Sequence, residues 1–170
     1  MDIRLYYKNF MTLLSGNTVS QLIPFLVAPI ISRTYSPTEV ATFSNFFAIV
    51  SVLGIIASGR LELAIPIVEK KRKAQDLVFS GLIFTGLITI LSVLIPVFSS
   101  KVGEFYNDDN LKDFLWLVPI SVLVFGLLLI ANNWILRLKD FKIIAVGKIA
   151  QSITNNGLTV TLGLLKFGAI

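Results

Sequence analysis

The chain has 170 residues, of which 55% are hydrophobic and 15% are charged, and its net charge is +5. Soluble domains carry about 25% charged residues, so this composition and the mean hydropathy of +0.81 argue against a soluble protein. Cysteine and histidine are absent, which excludes disulfides, thiol chemistry, His-dependent catalytic triads and most zinc sites. We expect no metal or organic cofactor.

Long uncharged runs predict helices that cross a membrane. No charged residue occurs in 9–32, 77–100 or 114–136, and each run exceeds the roughly 20 residues that span a bilayer at about 1.5 Å per residue. Two further spans contain internal charges. The predicted spans are 9–32, 40–68, 77–99, 114–136 and 143–170. They predict an all-α integral membrane protein with about five transmembrane helices, in a single membrane domain covering 1–170.

Basic residues are concentrated in alternate loops between the predicted spans. They lie before the first span (Arg4, Lys8), after the second (Lys70, Lys71, Arg72, Lys73) and after the fourth (Arg137, Lys139, Lys142). Because Lys and Arg accumulate in cytoplasmic loops, this alternation predicts a multi-pass protein with a cytoplasmic N-terminus. Topology thus explains the basic run 70–73 without a nucleic-acid partner, and contact of that run with lipid headgroups stays open.

The first span carries amides among its apolar residues. Asn17 and Gln21 are four residues apart and therefore share one helix face. Pro24 and Pro29 follow and interrupt the hydrogen-bond ladder of the helix. The two amides either join helices to one another or line a cavity.

An ionisable pair follows the uncharged residues of the second span. Arg60 and Glu62 come directly after the uncharged run from Val40 to Gly59, and charges in such places are first interpreted as functional. A helix unbroken to Val68 would hold Arg60 near the membrane midplane, whereas a helix ending at Gly59 would let it snorkel to the surface. Both alternatives stay open.

The fifth span is the most polar of the five. Lys148, Ser152, Asn155 and Thr159 recur at helical spacing, with Gln151 adjacent on the same side. This face is expected to lie against other helices or water. For Lys148, snorkelling to the cytoplasmic surface is the alternative.

Three segments of the chain resemble the N-terminal half of bacterial polysaccharide flippases. In chain order they are LLSGNTVSQLIPFLVAPIISRTYSP (13–37), SGRLELAIP (58–66) and NNWILRLKDFKIIAVGKIAQSI (132–153). These flippases export the lipid-linked oligosaccharides of O-antigen and capsule, and they belong to the multidrug, oligosaccharidyl-lipid and polysaccharide transporter superfamily. No one segment is diagnostic, so the resemblance depends on all three occurring in register.

The resemblance implies a partial N-terminal bundle of a transporter with about twelve to fourteen helices. It also implies a basic central cavity in the bacterial inner membrane, through which undecaprenyl-diphosphate-linked sugar repeats are flipped. By the same resemblance, Arg60 and Lys148 are cavity cations for the diphosphate or for acidic sugars. The amides that would contact sugar hydroxyls are Asn17, Gln21, Gln151 and Asn155. Glu62 either neutralises the surroundings of Arg60 or carries a coupling proton.

Compared with such transporters, the chain is expected to be a fragment that does not transport alone, because repeated halves build the site at their interface. Two other classes stay open. One is an integral-membrane glycan polymerase or ligase; the other is a noncatalytic subunit that packs against other polysaccharide-assembly membrane proteins. An enzyme of the first kind needs catalytic residues in an outer loop. The loop 99–113 offers Asp108 and Asp109, which are more typical of a turn, so we expect no enzyme.

Overall fold

The computed structural model describes residues 3–108 and 110–164. The helices in those ranges are α1 (Ile3–Thr34), α2 (Pro37–Ala57), α3 (Lys71–Ser92), α4 (Leu94–Val97), α5 (Ser99–Tyr106), α6 (Leu111–Phe114), α7 (Val118–Arg137) and α8 (Phe141–Leu164). Short 3₁₀ turns cover Leu61–Ala64 and Leu115–Leu117. All regular structure in the described ranges is helical, which confirms the predicted all-α class. Asp109 and residues 165–170, the end of the predicted fifth span, lie outside the described residues.

Within the described residues, four stretches are long and apolar enough to cross a membrane. They are Met11–Thr34, Pro37–Ala57, Lys71–Val97 and Leu111–Arg137, and they correspond to the first four predicted spans. At the place of the fifth span, α8 is a helix of 24 residues, but it is not one of these four stretches. Its lysines, amides and hydroxyls lower its hydropathy, although its length of about 36 Å is sufficient to span a bilayer.

The described residues divide into two compact units. Unit 1 comprises residues 1–40 and 139–170, and unit 2 comprises residues 41–138. Unit 1 therefore contains α1 and α8, which are far apart in sequence. Unit 2 contains nearly all of α2 and every helix from α3 to α7. Each unit is described by itself below.

In unit 1, α1 and α8 pack side by side and run in the same direction. Gly16 lies against Ala145 near one end of the pair, and Thr34 lies against Gly163 near the other. A Cβ atom on Gly16 would come within 2.5 Å of the Ala145 Cβ and 2.8 Å of its Cα. Glycine is therefore required for this close approach of the two backbones.

The start of α2 is fixed by a capping box. The Glu39 carboxylate accepts hydrogen bonds from the Ser36 N–H at 2.6 Å and from the Ser36 hydroxyl at 2.8 Å, and the Glu39 N–H donates to Ser36 Oγ at 3.3 Å. This reciprocal pattern satisfies donors that the first turn of a helix leaves free. The Glu39 carboxylate thus has a structural role at the end of this span.

In unit 2 the second predicted span is broken. Helix α2 ends at Ala57, and Gly59 and Arg60 then adopt left-handed backbone angles, with φ of 59° and 56°. Two consecutive residues in this conformation cannot continue a right-handed helix, so the chain turns before Leu61–Ala64. The alternative of one helix unbroken to Val68 is not adopted, and Arg60 does not lie on α2.

The core of unit 2 is apolar. Its buried cluster consists of Val50, Ala57, Leu111, Leu115, Val118 and Val122. The buried Thr85 hydroxyl beside this core donates to the Gly81 carbonyl oxygen of its own helix at 2.8 Å. A buried hydroxyl with a partner of this kind costs little free energy, whereas the buried Thr89 hydroxyl of the same helix has no hydrogen-bond partner in the described residues.

Candidate functional site

The clearest polar contact in unit 1 joins two of the predicted site residues. The Lys148 ammonium donates a hydrogen bond to Asn17 Oδ1 over 2.8 Å. Asn17 lies on α1 and Lys148 on α8, 131 positions apart in sequence. The parallel packing of the two helices brings Asn17 and Lys148 together. Asn17 directly follows Gly16 on α1, and Lys148 lies about one turn after Ala145 on α8.

An open groove of about 390 Å³ follows the same face of α1. Its lining residues are Leu14, Asn17, Thr18, Gln21, Leu22 and Phe25. The wall therefore combines two amides and a hydroxyl with three large apolar side chains. Because the Asn17 oxygen holds the Lys148 ammonium, a positive charge is fixed at the edge of this groove.

Other polar residues of α8 divide between the helix contact and the exposed surface. Ser152 donates to the Ser20 carbonyl oxygen at 2.6 Å, and the Thr159 carbonyl oxygen accepts from the Tyr35 hydroxyl at 2.8 Å. The first contact joins α8 to α1, and the second joins α8 to the residue that follows α1. Gln151 and Asn155 are exposed, so their amides are available to a ligand or another helix.

Arg60 lies in the turn that follows α2, in unit 2. Its side chain is exposed, and no hydrogen bond or ion pair holds it to the described part of the chain. Its left-handed backbone is unusual for a residue with a β-carbon and costs free energy of about 1 to 2 kcal/mol. The structure thus gives Arg60 a free cationic side chain on a strained turn.

Glu62 differs sharply from Arg60 although only one residue separates them. Its side chain is buried, with 4% of its surface exposed, and its Oε2 atom has no hydrogen-bond partner in the described residues. The Leu61–Ala64 turn packs mainly against α3, and also against α7. Burying a carboxylate without a partner is costly, so a structural role does not explain Glu62.

Arg137, at the end of α7, was counted from sequence only as a charge that sets orientation. In the structure its guanidinium donates to the carbonyl oxygen of Ile65 at 2.9 Å, to that of Val68, and to that of Glu69 at 3.0 Å. These carbonyl groups lie in the irregular segment that leads from the break to α3. Arg137 therefore fixes the backbone beside Arg60 and Glu62. The sequence feature that could have indicated this role is the position of Arg137 in the last turn of an apolar span.

The segment after α5 gives Asp108 a structural role. Its carboxylate accepts from the Thr42 hydroxyl at 3.1 Å, from the Asn45 amide at 3.3 Å and from the Leu111 N–H at 3.3 Å. Asp108 follows Asn107, whose φ of 52° turns the chain. This agrees with the interpretation of Asp108 as a turn residue. Its neighbour Asp109 lies outside the described residues.

The candidate site residues fall into two sets. Asn17, Gln21, Lys148, Gln151 and Asn155 belong to unit 1, whereas Arg60 and Glu62 belong to unit 2. The only pair of candidates that a described hydrogen bond brings together is Asn17 and Lys148. The described residues contain no group of three acidic, His or Cys side chains able to hold a metal ion.

Comparison with known proteins identifies the family. The family described as polysaccharide biosynthesis protein matches residues 6–167, which is nearly the whole chain and includes all three segments of the flippase resemblance. No curated protein and no solved structure matches the chain. With its membrane-spanning helices, the chain belongs to the polysaccharide biosynthesis protein family, and its role lies in the biosynthesis or transport of polysaccharide.

Proposed function

We propose that the chain takes part in flipping undecaprenyl-diphosphate-linked oligosaccharide repeats across the bacterial inner membrane. The observation that carries this proposal is the Lys148 ammonium held by Asn17 at the edge of the groove on α1. A lipid-linked diphosphate is anionic at one end and hydrocarbon at the other. A groove with a fixed cation, amides and apolar walls has matching chemistry.

The contact with Asn17 leaves the ammonium able to bind an anion. A lysine ammonium has three N–H donors, and Asn17 accepts one of them. The other two are directed by that bond and remain for phosphate oxygens, for which lysine acts as a point charge. Asn17 is thus a positioning residue in this proposal, and Lys148 is the residue that contacts the diphosphate.

The remaining candidates have secondary roles. The Gln21 amide in the groove and the exposed amides of Gln151 and Asn155 would bind sugar hydroxyl groups. Arg60 would provide a second cation, and its exposed side chain without a protein partner supports this role. Arg suits phosphate because its planar fork offers paired donors.

For Glu62 we favour the coupling proton over the neutralising role. A neutralising partner of Arg60 would be expected to form an ion pair with it, and no such pair joins them in the described residues. An intramembrane carboxyl that takes up and releases a proton needs no permanent partner. The buried and unpartnered Oε2 atom of Glu62 supports this role.

The direction of α8 supports the proposed topology. If α1 crosses from the cytoplasm outward, a fifth span must cross in the same direction, and α8 runs parallel to α1. The contacts from Ala145 to Gly163 cover about 27 Å of α8, close to the thickness of the hydrocarbon layer. We infer that α8 is the fifth span and that its N-terminus, like that of the chain, is cytoplasmic.

The test is the substitution Lys148→Gln, with Lys142→Gln as its matched control. Both lysines are exposed residues of α8, about one and a half turns apart, so the two variants lose the same charge. We expect Lys148→Gln to reduce surface polysaccharide at least tenfold and to accumulate lipid-linked sugar facing the cytoplasm. Normal export in Lys148→Gln would contradict the proposal. A glycan polymerase or ligase would instead leave the lipid-linked repeats on the outer leaflet.

A further inference from the structure

We propose that the loop between α2 and α3 is a docking surface for anionic phospholipid headgroups. The lipid-binding loop, as we call residues 61–73, consists of the segment before α3 and the first three residues of α3, and it combines exposed apolar side chains with four consecutive cations. The apolar side chains enter the outer part of the hydrocarbon layer, and the cations contact lipid phosphates. This inference does not depend on the proposed transport function.

The backbone of the lipid-binding loop presents apolar side chains away from the protein. Leu63 is 49% exposed and Ile67 is 78% exposed, whereas Glu62 and Ile65 are buried. The loop therefore has an inner face toward unit 2 and an outer apolar face. Contact with lipid would remove the exposed surface of Leu63 and Ile67 from water, which is favourable. The chain thus leaves the helix at Ala57 without leaving the membrane.

Arg137 holds the loop in this arrangement. Its guanidinium donates to carbonyl oxygens of Ile65, Val68 and Glu69. Backbone carbonyls at the edge of the hydrocarbon layer need such donors because water is scarce there. The last of these carbonyl groups belongs to Glu69, one residue before the cationic run. Arg137 therefore also holds Lys70 and the residues after it near the edge of the hydrocarbon layer.

The four cations are free to bind anions. Lys70, Lys71, Arg72 and Lys73 are all exposed, and within the described residues none of their side chains has a hydrogen bond or ion pair. The bordering carboxylates of Glu69 and Asp76 are also exposed and do not pair with them. Clusters of four or more Lys and Arg beside a membrane span attract anionic lipid, each contributing about 1 kcal/mol.

A lipid fits both halves of this surface, whereas a soluble anion fits one. A free phosphate or a polyanion would neutralise the four cations but would leave Ile67 in water. A phospholipid with a negative headgroup supplies both parts: its phosphate contacts the cations, and its acyl chains contact Leu63 and Ile67. The observations therefore favour the headgroup as the occupant.

Quenching of Trp134 by brominated lipids tests this inference. The chain has two tryptophans, and Trp134 lies one turn before Arg137, so Trp116→Phe leaves a single reporter next to the loop. The whole chain is reconstituted in vesicles that mix phosphatidylcholine with phosphatidylglycerol, and either lipid is brominated in turn. We expect about tenfold preference for phosphatidylglycerol at Trp134, falling to about twofold in Lys71→Gln/Lys73→Gln.

The matched control is Arg33→Gln/Lys101→Gln, which removes two exposed cations outside the loop and should keep the preference. A second measurement needs no variant of the loop: raising salt from about 0.05 M to about 0.5 M should weaken the preference, because exposed charges are screened. Equal quenching by the two lipids at low salt would overturn the inference. A preference unchanged by the loop substitutions would overturn it as well.

Discussion

Unit 1 and unit 2 differ in what their polar side chains do at the packed interior. In unit 1 the polar residues of α1 and α8 bond to one another, as Lys148 does with Asn17 and Ser152 with the Ser20 carbonyl. In unit 2 the core is apolar, and Glu62 is buried without a partner for its Oε2 atom. Polar groups thus help to join unit 1, whereas in unit 2 one of them is a source of instability.

This difference allows effects on stability to be distinguished from effects on function. Where polar groups are paired, removing them costs stability, and any effect on activity is mixed with misfolding. Where a buried carboxyl is unpaired, removing it should cost nothing in stability. A paired polar group and an unpaired one therefore call for opposite results on substitution, and three variants test the close packing of unit 1 and the paired and unpaired groups of unit 2.

The largest effect is expected at the close contact in unit 1. Gly16→Leu would place a side chain where even a Cβ meets Ala145 at 2.5 Å, so α1 and α8 must separate. We expect a loss of about 3 kcal/mol in the free energy of unfolding, measured by thermal unfolding in detergent, and loss of the contact between Asn17 and Lys148.

The control for this variant is Gly147→Leu on α8. Nothing lies within 4 Å of a Cβ atom at Gly147, so this substitution should leave the unfolding temperature unchanged or raise it slightly through helix propensity. Equal destabilisation by the two variants would show that unit 1 does not depend on the close contact of α1 with α8.

An intermediate effect is expected at Arg137 in unit 2. Arg137→Lys keeps the charge that orients the span but cannot donate to three carbonyl groups in the same geometry. We expect unfolding to become easier by about 2 kcal/mol, with faster amide hydrogen exchange in residues 61–69. Arg72→Lys, at an exposed cation without a described partner, should change neither. Unaltered amide hydrogen exchange in Arg137→Lys would mean that the hydrogen bonds of Arg137 do not hold this segment.

The smallest effect on stability, with the opposite sign, is expected at Glu62. Glu62→Leu removes an unpartnered buried carboxyl, so the free energy of unfolding should rise by about 1 kcal/mol. Export of polysaccharide should nevertheless fall, because the proposed proton carrier is gone. Glu69→Gln, at an exposed carboxylate, should leave both quantities unchanged. A destabilised Glu62→Leu protein would reveal a partner for this carboxyl and remove the contrast between the units.

Much of the fold follows from the positions of the charges. Uncharged runs predicted α1, α3 and α7 because the cost of placing charge in hydrocarbon limits each span. The break after Ala57 was only one of two alternatives in the sequence, since the run LAIPIV after Glu62 is as apolar as a span. The break depends on the left-handed backbone of Gly59 and Arg60, and hydropathy carries no information about backbone angles.

Less of the candidate site could be predicted. Helical spacing correctly placed Asn17 and Gln21 on one face, which the groove now shows. The bond between Asn17 and Lys148 depends on how two helices are rotated against each other, and the sequence does not specify that rotation. The role of Arg137 was missed because counting charges treats every arginine in a loop alike, whereas three carbonyl partners distinguish this one.

The pairing of α1 with α8 has a consequence for the order in which the protein is made. Residues 41–138 form unit 2 from one continuous stretch, but unit 1 needs two segments from opposite ends of the chain. At the usual pace of synthesis, α1 waits on the order of ten seconds before α8 emerges. During that interval Asn17 and Ser20 have no partner on α8. We therefore expect the insertion machinery or a chaperone to bind α1 until α8 has been synthesised.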